Sequence, residues 1–150
     1  MLSRAQKRLQ REYEEMTKSY GEMFQVRIKD DSMMLWEVSF IGAQGTVFAG
    51  EPFTLQFKFD SNYPIESPEV IFLGRYPEHE HVYSNGYICL SILYDEWSPS
   101  MRVSSVVLSI QSMLSSATHK SRPKNDAQFS SYANGRSPKS FNWIFEDEKC

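Results

Sequence analysis

Residues 79–93 read HEHVYSNGYICLSIL, and WSP follows at residues 97–99. The Asn85-Gly86 pair favours a tight reversal, because both residue types accept positive φ angles. Cys89 comes soon after this turn, and the apolar residues that follow it would anchor the backbone to a core. A thiol held in this way is placed like a nucleophile, but cysteine is also among the most buried residue types. The residues alone leave both interpretations open.

Length and composition indicate a single globular domain. The chain has 150 residues, enough to bury a sizeable core. No apolar stretch reaches about 18 residues, the length of a membrane-spanning helix. A net charge of −3 argues against nucleic-acid binding. Two cysteines and no glycosylation sequon indicate a nuclear or cytoplasmic protein with reduced thiols. We therefore expect neither a nucleic acid nor a membrane as a partner.

Periodic apolar residues predict two helices. Ser3 followed by Gln6 is typical of a capping box, and the apolar spacing predicts a helix over roughly residues 3–19. A second helix is predicted after the cysteine, with one apolar face between Val103 and Leu114 and with Ser100 as its N-cap. That apolar face is expected to pack in the core.

Alternating apolar residues predict four strands between these helices, within residues 23–28, 34–40, 53–59 and 70–73. Short connections between consecutive strands favour an antiparallel meander, with the first helix on one face. Pro64 and Pro68 cannot donate ladder hydrogen bonds, so we expect a loop or an edge there.

The character of the chain changes at Ala117. Pro123 and Pro138 break helices, and no helical period is visible, so we predict irregular or mobile structure. The apolar residues of this tail are expected to pack on the domain, or else to form a surface for a substrate segment: Phe141, Trp143, Ile144 and Phe145. We divide the chain into a core of residues 1–116 and an atypical C-terminal extension of the same domain, residues 117–150.

Three motifs carry a resemblance to a known family. NGYICLSIL at residues 85–93 with its WSP, GAQGTVFAGEPF at residues 42–53 and FDSNYPIESP at residues 59–68 occur in the order found in ubiquitin-conjugating enzymes. The chain resembles that family from its first helix to about Ser116. Within the family it is most similar to the W-type branch, which is directed at protein N-termini. The shared features are His79, His81, SMLSS at residues 112–116 and an acidic tail that ends in cysteine.

The resemblance implies a fold and a reaction. The fold is the α/β (α+β) ubiquitin-conjugating fold, with an N-terminal helix, a four-stranded antiparallel meander, an active-site loop and a central helix. In the implied reaction, Cys89 takes ubiquitin as a thioester from the activating enzyme, and an amine then attacks that thioester. No cofactor is expected, because only the upstream activating enzyme uses ATP.

The resemblance also implies partners. Basic residues of the first helix would contact the activating enzyme and RING-type or U-box ligases, although a solvated helix face is the ordinary explanation of such charges. Loop residues would meet the ligase as well. The predicted contacts are Lys7, Arg8, Arg11, Ile65, Ser98 and Pro99. Ile65 stands where the family often has an aromatic residue.

The sequence departs from the family at two points. The His-Pro-Asn of the family is His79-Glu80-His81 here, and THKSR at residues 118–122 lacks the carboxylate that helps a lysine react. At pH ~7.4 an α-amine of pKa ~7.8 is about 28% neutral, whereas a lysine of pKa ~10.4 is about 0.1% neutral. We therefore expect transfer to the α-amino N-termini of flexible chains. A lysine-directed enzyme and a catalytically weak ubiquitin-binding or ligase-binding module are the alternatives.

Further site residues follow from these departures. His81 could donate a hydrogen bond to the oxyanion or accept a proton, or could only support the loop. His79 is expected to support the loop, and Asn85 to form the turn. We place His119 and Trp143 near the substrate or in the tail, with a surface position as the simpler reading of His119. His79, His81 and Cys89 could meet a metal ion, but a fourth ligand is lacking, so no metal is expected.

Overall fold

A computed structural model describes residues 1–144 of the chain. The helices are α1 (Arg4–Ser19), α2 (Val103–Ser115) and α3 (Asp126–Ala133), and short 3-10 turns lie at Ser91–Leu93 and Pro138–Ser140. The strands are β1 (Gln25–Ile28), β2 (Leu35–Ile41), β3 (Pro52–Lys58) and β4 (Glu69–Leu73).

Helix α1 begins with the predicted capping box. The backbone N–H of Gln6 donates to Ser3 Oγ at 3.1 Å, and the Ser3 N–H donates to Gln6 Oε1 at 2.9 Å. These two bonds satisfy donors that the first turn of a helix leaves without partners. Ser3 is therefore the N-cap, and the helix proper begins one residue later, at Arg4.

The strands form one antiparallel sheet in the order β1-β2-β3-β4, as the alternation predicted. Val38 lies opposite Leu55, and Leu55 lies opposite Phe72, so the apolar side chains of three strands share one face. These residues pack with Leu9 of α1 and Ile110 of α2 in a single core. The first helix on one face of an antiparallel sheet and the second helix packed in the core are what the sequence predicted.

Helix α2 begins at Val103 with Arg102 as its N-cap, so the prediction of Ser100 as the cap is wrong. The first N–H of the helix donates instead to Glu12 Oε1 of α1, at 2.7 Å. A carboxylate from another helix thus takes the place of a local capping side chain. The bond also fixes α2 against α1.

The tail is irregular over residues 117–125, but the prediction is wrong for Asp126–Ala133, which form α3. Tertiary contacts hold this helix, since its own sequence has no apolar stripe. Asp126 Oδ1 accepts from the N–H of Ser84 at 2.8 Å, and Asn125 Oδ1 accepts from the hydroxyl of Tyr83 at 3.1 Å. The helix is thereby held on the turn that precedes Cys89. The division of the chain at residue 116 stays a prediction.

Within residues 1–144, no helix is both long enough and apolar enough to cross a membrane.

Candidate active site

The turn before Cys89 is held by its own side chain and by β4. Asn85 Oδ1 accepts from the N–H of Tyr87 at 3.0 Å. Gly86 has a φ of 91°, and a Cβ placed on it would lie 2.6 Å from the carbonyl oxygen of Phe72. Only glycine fits this position, because the angle and the close approach both exclude a side chain. The turn sets the direction in which the chain reaches Cys89.

Cys89 is fixed through its backbone. Its N–H donates to the carbonyl oxygen of His81 at 2.8 Å, and a bridge between Val82 and Ile88 continues this pairing. The residue is 8% exposed, and its sulfur lies 3.9 Å from the carbonyl oxygen of Ile144. As a thiolate, the sulfur can attack a carbonyl carbon.

Tyr94 supports the same segment from the other side. Its hydroxyl donates to the carbonyl oxygen of Ile88 at 2.7 Å. Burial, as the larger cause, and the nearby Glu69 carboxylate raise the pKa of this phenol. The phenol therefore remains a hydrogen-bond donor. The peptide next to Cys89 is therefore fixed by a tyrosine that the sequence did not single out.

His79 joins the active-site loop to α2. Its Nδ1 accepts from the N–H of His81 at 3.0 Å, and its Nε2 lies 3.1 Å from the carbonyl oxygen of Met113. A carbonyl only accepts, so Nε2 carries the proton and the ring is in one neutral tautomer. Both ring nitrogens are engaged within the protein, and the contacts support the loop.

His81 lies beside Cys89 and is buried. Its ring centroid is 5.4 Å from that of His79, and its Nε2 lies 3.8 Å from Glu80 Oε1. Its backbone holds Cys89 while its side chain lines the same groove as the sulfur. An imidazole and a carboxylate therefore line the same groove as the cysteine.

Arg122 clamps the loop that leads to His81, and sequence reasoning missed it. Its guanidinium donates to the carbonyl oxygens of Tyr76 at 3.0 Å, Pro77 at 2.7 Å and Val82 at 3.1 Å. Nothing in the sequence signals this role, because the arginine sits in a short basic segment and its partners lie 40 to 46 residues away. The tail thus contributes structure to the active site.

The groove beside Cys89 has a volume of about 850 Å³. His119 is exposed and also lines this groove. It therefore lies at the surface and beside the active site at the same time. Basic side chains line the groove together with residues of the tail: His119, Arg122, Lys124, Phe141, Trp143 and Ile144. The groove therefore places cationic and apolar groups next to the sulfur.

The aromatic residues of the tail pack on the domain, as predicted for Phe141 and Trp143. Trp143 stacks on Tyr94 with ring centroids 4.8 Å apart, and Phe129 of α3 makes a tilted contact with Tyr83, with ring centroids 4.2 Å apart. Phe141 packs edge-on against Phe129, with ring centroids 5.1 Å apart. The side chain of Ile144, in contrast, is 76% exposed, and Phe145 lies outside the described residues.

The predicted partner residues fall into two groups. Lys7 and Arg11 are exposed on α1. Arg8 instead bonds within the chain, donating to the carbonyl oxygens of Pro99 at 3.1 Å and Met101 at 2.8 Å and to the carboxylate of Glu12. Arg8 therefore fixes the loop that carries Ser98 and Pro99.

The two loops with predicted ligase contacts are also joined to each other. Trp97 Nε1 donates to the carbonyl oxygen of Pro64 at 2.8 Å, and the neighbouring Ile65 is 71% exposed. Pro99 is exposed and Ser98 is half-buried. These contacts place Ile65 near the loop of residues 97–99.

Glu12 is a buried carboxylate that the sequence reading passed over. It accepts from the hydroxyl of Tyr63, from Arg8 Nε and from the N–H of Val103. Burial, as the larger cause, and the Glu12 carboxylate raise the pKa of Tyr63. The phenol therefore stays protonated and keeps donating to the carboxylate.

The metal site considered for His79, His81 and Cys89 can be compared with the described part of the chain. Residues 1–144 hold no group of three or more His, Cys, Asp or Glu side chains that could bind a metal ion. Both nitrogens of His79 are already used within the loop and by α2.

Comparisons with known proteins agree with one another. Residues 8–145 match the family model described as "Ubiquitin-conjugating enzyme". The chain is 48% identical over 148 residues to a protein of Dictyostelium discoideum named "Probable ubiquitin-conjugating enzyme E2 W", covering 99% of each chain. It is 49% identical over 114 residues to "Ubiquitin-conjugating enzyme E2 W" of Caenorhabditis elegans, covering 75% of this chain and 74% of the relative.

A solved structure gives the same result for the fold. The ubiquitin-conjugating enzyme E2 UbcA1 of Agrocybe aegerita superposes with a TM-score of 0.81 at 39% identity. The match covers 91% of this chain and 99% of that one. The ubiquitin-conjugating fold expected from the sequence motifs is confirmed.

Proposed function

Because the chain belongs to the ubiquitin-conjugating enzyme family, and so works with ubiquitin, an activating enzyme and ligases, we propose that Cys89 carries ubiquitin as a thioester and passes it to α-amino N-termini of flexible chains. The observation that supports the proposal is the lining of the groove at Cys89. His81 stands where the family has asparagine, and the segment 118–122 supplies His119 and Arg122 but no carboxylate.

The transfer is an acyl exchange in two steps. The thiolate of Cys89 first attacks the C-terminal carbonyl carbon of ubiquitin held by the activating enzyme; a C–S bond to Cys89 forms, and the bond to the activating enzyme breaks and its group leaves with the electron pair. The nitrogen of the acceptor amine then attacks that carbonyl carbon, the C–N bond forms and the C–S bond breaks. The sulfur leaves with the bonding electron pair, and the nitrogen loses a proton.

The choice of amine follows from protonation. An α-amine of pKa ~7.8 has roughly 280 times the neutral fraction of a lysine of pKa ~10.4 at pH ~7.4. An active site that does not deprotonate lysine therefore still reacts with N-termini. The similarity to relatives named E2 W supports the same choice.

His81 has the proton role in this proposal. Its buried side chain lines the groove beside the sulfur, and a neutral imidazole nitrogen can accept the proton that the attacking nitrogen loses. His79 and Asn85 hold the loop and the turn through the hydrogen bonds described above. The chain needs no cofactor of its own for these steps, since the acyl group arrives activated.

Partner contacts are assigned to the exposed residues of one surface. Lys7 and Arg11 of α1, together with Ile65 and Pro99 of the adjoining loops, are accessible to the activating enzyme and to RING-type or U-box ligases. Arg8 contributes mainly by fixing the loop of residues 98–101. We place this activity in the nucleus or the cytoplasm.

Charging with ubiquitin tests the proposal. The protein is reduced, freed of reductant and incubated with ubiquitin, ATP and activating enzyme, and a reductant-sensitive adduct is expected. Cys89→Ala should abolish the adduct, whereas the matched control Cys150→Ala, which removes the other cysteine, should keep it. Absence of an adduct on the wild-type protein would favour the alternative of a binding module.

A further inference from the structure

Glu80 is placed at the mouth of the Cys89 groove by a departure from the family pattern. The family has proline between the two loop positions that are His79 and His81 here. The Glu80 side chain is 48% exposed, and its Oε1 lies 3.8 Å from His81 Nε2. It lines the groove together with Cys89.

Glu80 is distinguished by its charge. Among the groove-lining residues of the described chain, it is the only one with a carboxylate. Besides Cys89 and Tyr83, the other charged or titratable side chains that line the groove are basic: His81, His119, Arg122 and Lys124. The guanidinium of Arg122 is directed at three backbone carbonyls of the loop. A negative charge therefore stands next to the imidazole in an otherwise basic site.

The transfer reaction creates a need for such a charge. As the amine nitrogen bonds to the thioester carbon it becomes positively charged, and it stays so until its proton is transferred to His81. A carboxylate beside that imidazole stabilises the nitrogen while the charge develops. An anionic nucleophile, such as a thiolate, develops no positive charge and is repelled by the same carboxylate.

We propose that Glu80 makes the Cys89 thioester selective for amines over anionic nucleophiles. The inference rests on the proposed function, because it requires a thioester on Cys89. It goes beyond that function by assigning the stabilisation of the attacking nitrogen to a residue that the family pattern does not contain.

The test compares two nucleophiles on one charged enzyme. Cys89-linked ubiquitin is discharged in single turnover by a lysine-free peptide with a free N-terminus, and separately by the small thiol dithiothreitol. Glu80→Gln should slow the peptide reaction about fivefold at low salt. This is the effect in water of removing a unit charge about 4 Å from the attacking nitrogen. It should leave the thiol reaction unchanged or make it faster. Added salt should reduce the difference in peptide reaction rate between the wild-type protein and Glu80→Gln.

Two further variants separate charge from structure. Glu80→Asp keeps the charge and is expected to retain most of the wild-type peptide rate. Glu78→Gln makes the same charge change at an exposed neighbour outside the groove lining and should leave both rates unchanged. Equal slowing of both nucleophiles by Glu80→Gln, or no slowing of the peptide reaction, would overturn the inference. Loss of charging in the wild-type protein would instead overturn the proposed function, and the inference with it.

Discussion

The guanidinium of Arg122 donates to the carbonyl oxygen of Pro77 at 2.7 Å, and this bond ties the C-terminal tail to the loop that carries His79 and His81. Two further bonds, to the carbonyls of Tyr76 and Val82, make the arginine a three-point clamp. The loop in turn holds the N–H of Cys89 through the His81 carbonyl. The position of the nucleophile thus depends on a residue of the tail.

Arg122→Ala should therefore weaken both the fold and the site. It leaves three half-buried carbonyls without their donor, and we expect a loss of about 1–3 kcal/mol in the free energy of unfolding. Urea denaturation measures this loss, and charging with ubiquitin should slow in parallel. Arg75→Ala is the matched control, since the exposed Arg75 side chain pairs with Glu51 at the surface and its loss should change stability by less than about 1 kcal/mol. Equal effects of the two substitutions would contradict the clamp.

Glu12→Gln should destabilise the junction of α1 and α2. The buried carboxylate accepts from Tyr63, Arg8 and Val103, and an amide cannot replace all of these contacts. We expect the free energy of unfolding to fall by about 3 kcal/mol. Glu14→Gln, on the exposed side of the same helix, should have almost no effect. A loss below about 0.5 kcal/mol for Glu12→Gln would show that the network contributes little.

Tyr63 gives the fold a dependence on high pH. Burial, as the larger cause, and the nearby Glu12 carboxylate raise the pKa of the phenol in the folded state. In the unfolded chain the phenol ionises near pH ~10. The protonated phenol contributes fully to the free energy of unfolding below that pH. The contribution is lost as the pH rises further, because the unfolded chain releases the proton while the folded protein keeps it. Stability should fall by about 1.4 kcal/mol per pH unit for each such group, and the buried Tyr94 acts in the same direction.

Denaturation at several pH values tests this. Tyr63→Phe should make the decline above pH ~10 less steep, whereas Tyr132→Phe, at an exposed tyrosine, should leave the slope unchanged. A wild-type slope that Tyr63→Phe does not alter would contradict the assignment.

Trp143 should control access to Cys89. It stacks on Tyr94 and packs near Tyr83 on one side of the groove. In the reduced protein, Trp143→Ala is expected to speed alkylation of Cys89 by about tenfold, since an aromatic pair contributes about 0.5–1.5 kcal/mol. Mass spectrometry of the iodoacetamide-labelled cysteine gives the rate. Ile144→Ala alters a side chain that is 76% exposed and should leave it unchanged. Unchanged alkylation of Trp143→Ala would mean that the tail does not cover the sulfur.

Local features of the sequence predicted most of the fold. The capping box of Ser3 and Gln6 involves neighbours in the chain, and the apolar alternation of β3 follows from a period of two residues. The Asn85-Gly86 turn could be predicted for the same reason, because its conformation is fixed by those two residue types.

The missed features depend on contacts between distant residues. Helix α3 has no apolar stripe of its own and is held by Ser84 and Tyr83 across the turn. The cap of α2 is supplied by Glu12 from another helix, so no local signal could reveal it. Arg122 reads as one basic residue among several until the fold brings it to the carbonyls of the loop.

A discharge competition tests the central claim most directly. Wild-type protein charged with ubiquitin on Cys89 is mixed with a lysine-free peptide that has a free, flexible N-terminus, and with an N-acetylated peptide that contains one lysine. The account predicts that the free N-terminus is modified at least about tenfold faster, because its amine is far more often neutral. Equal or faster modification of the acetylated lysine peptide would contradict it.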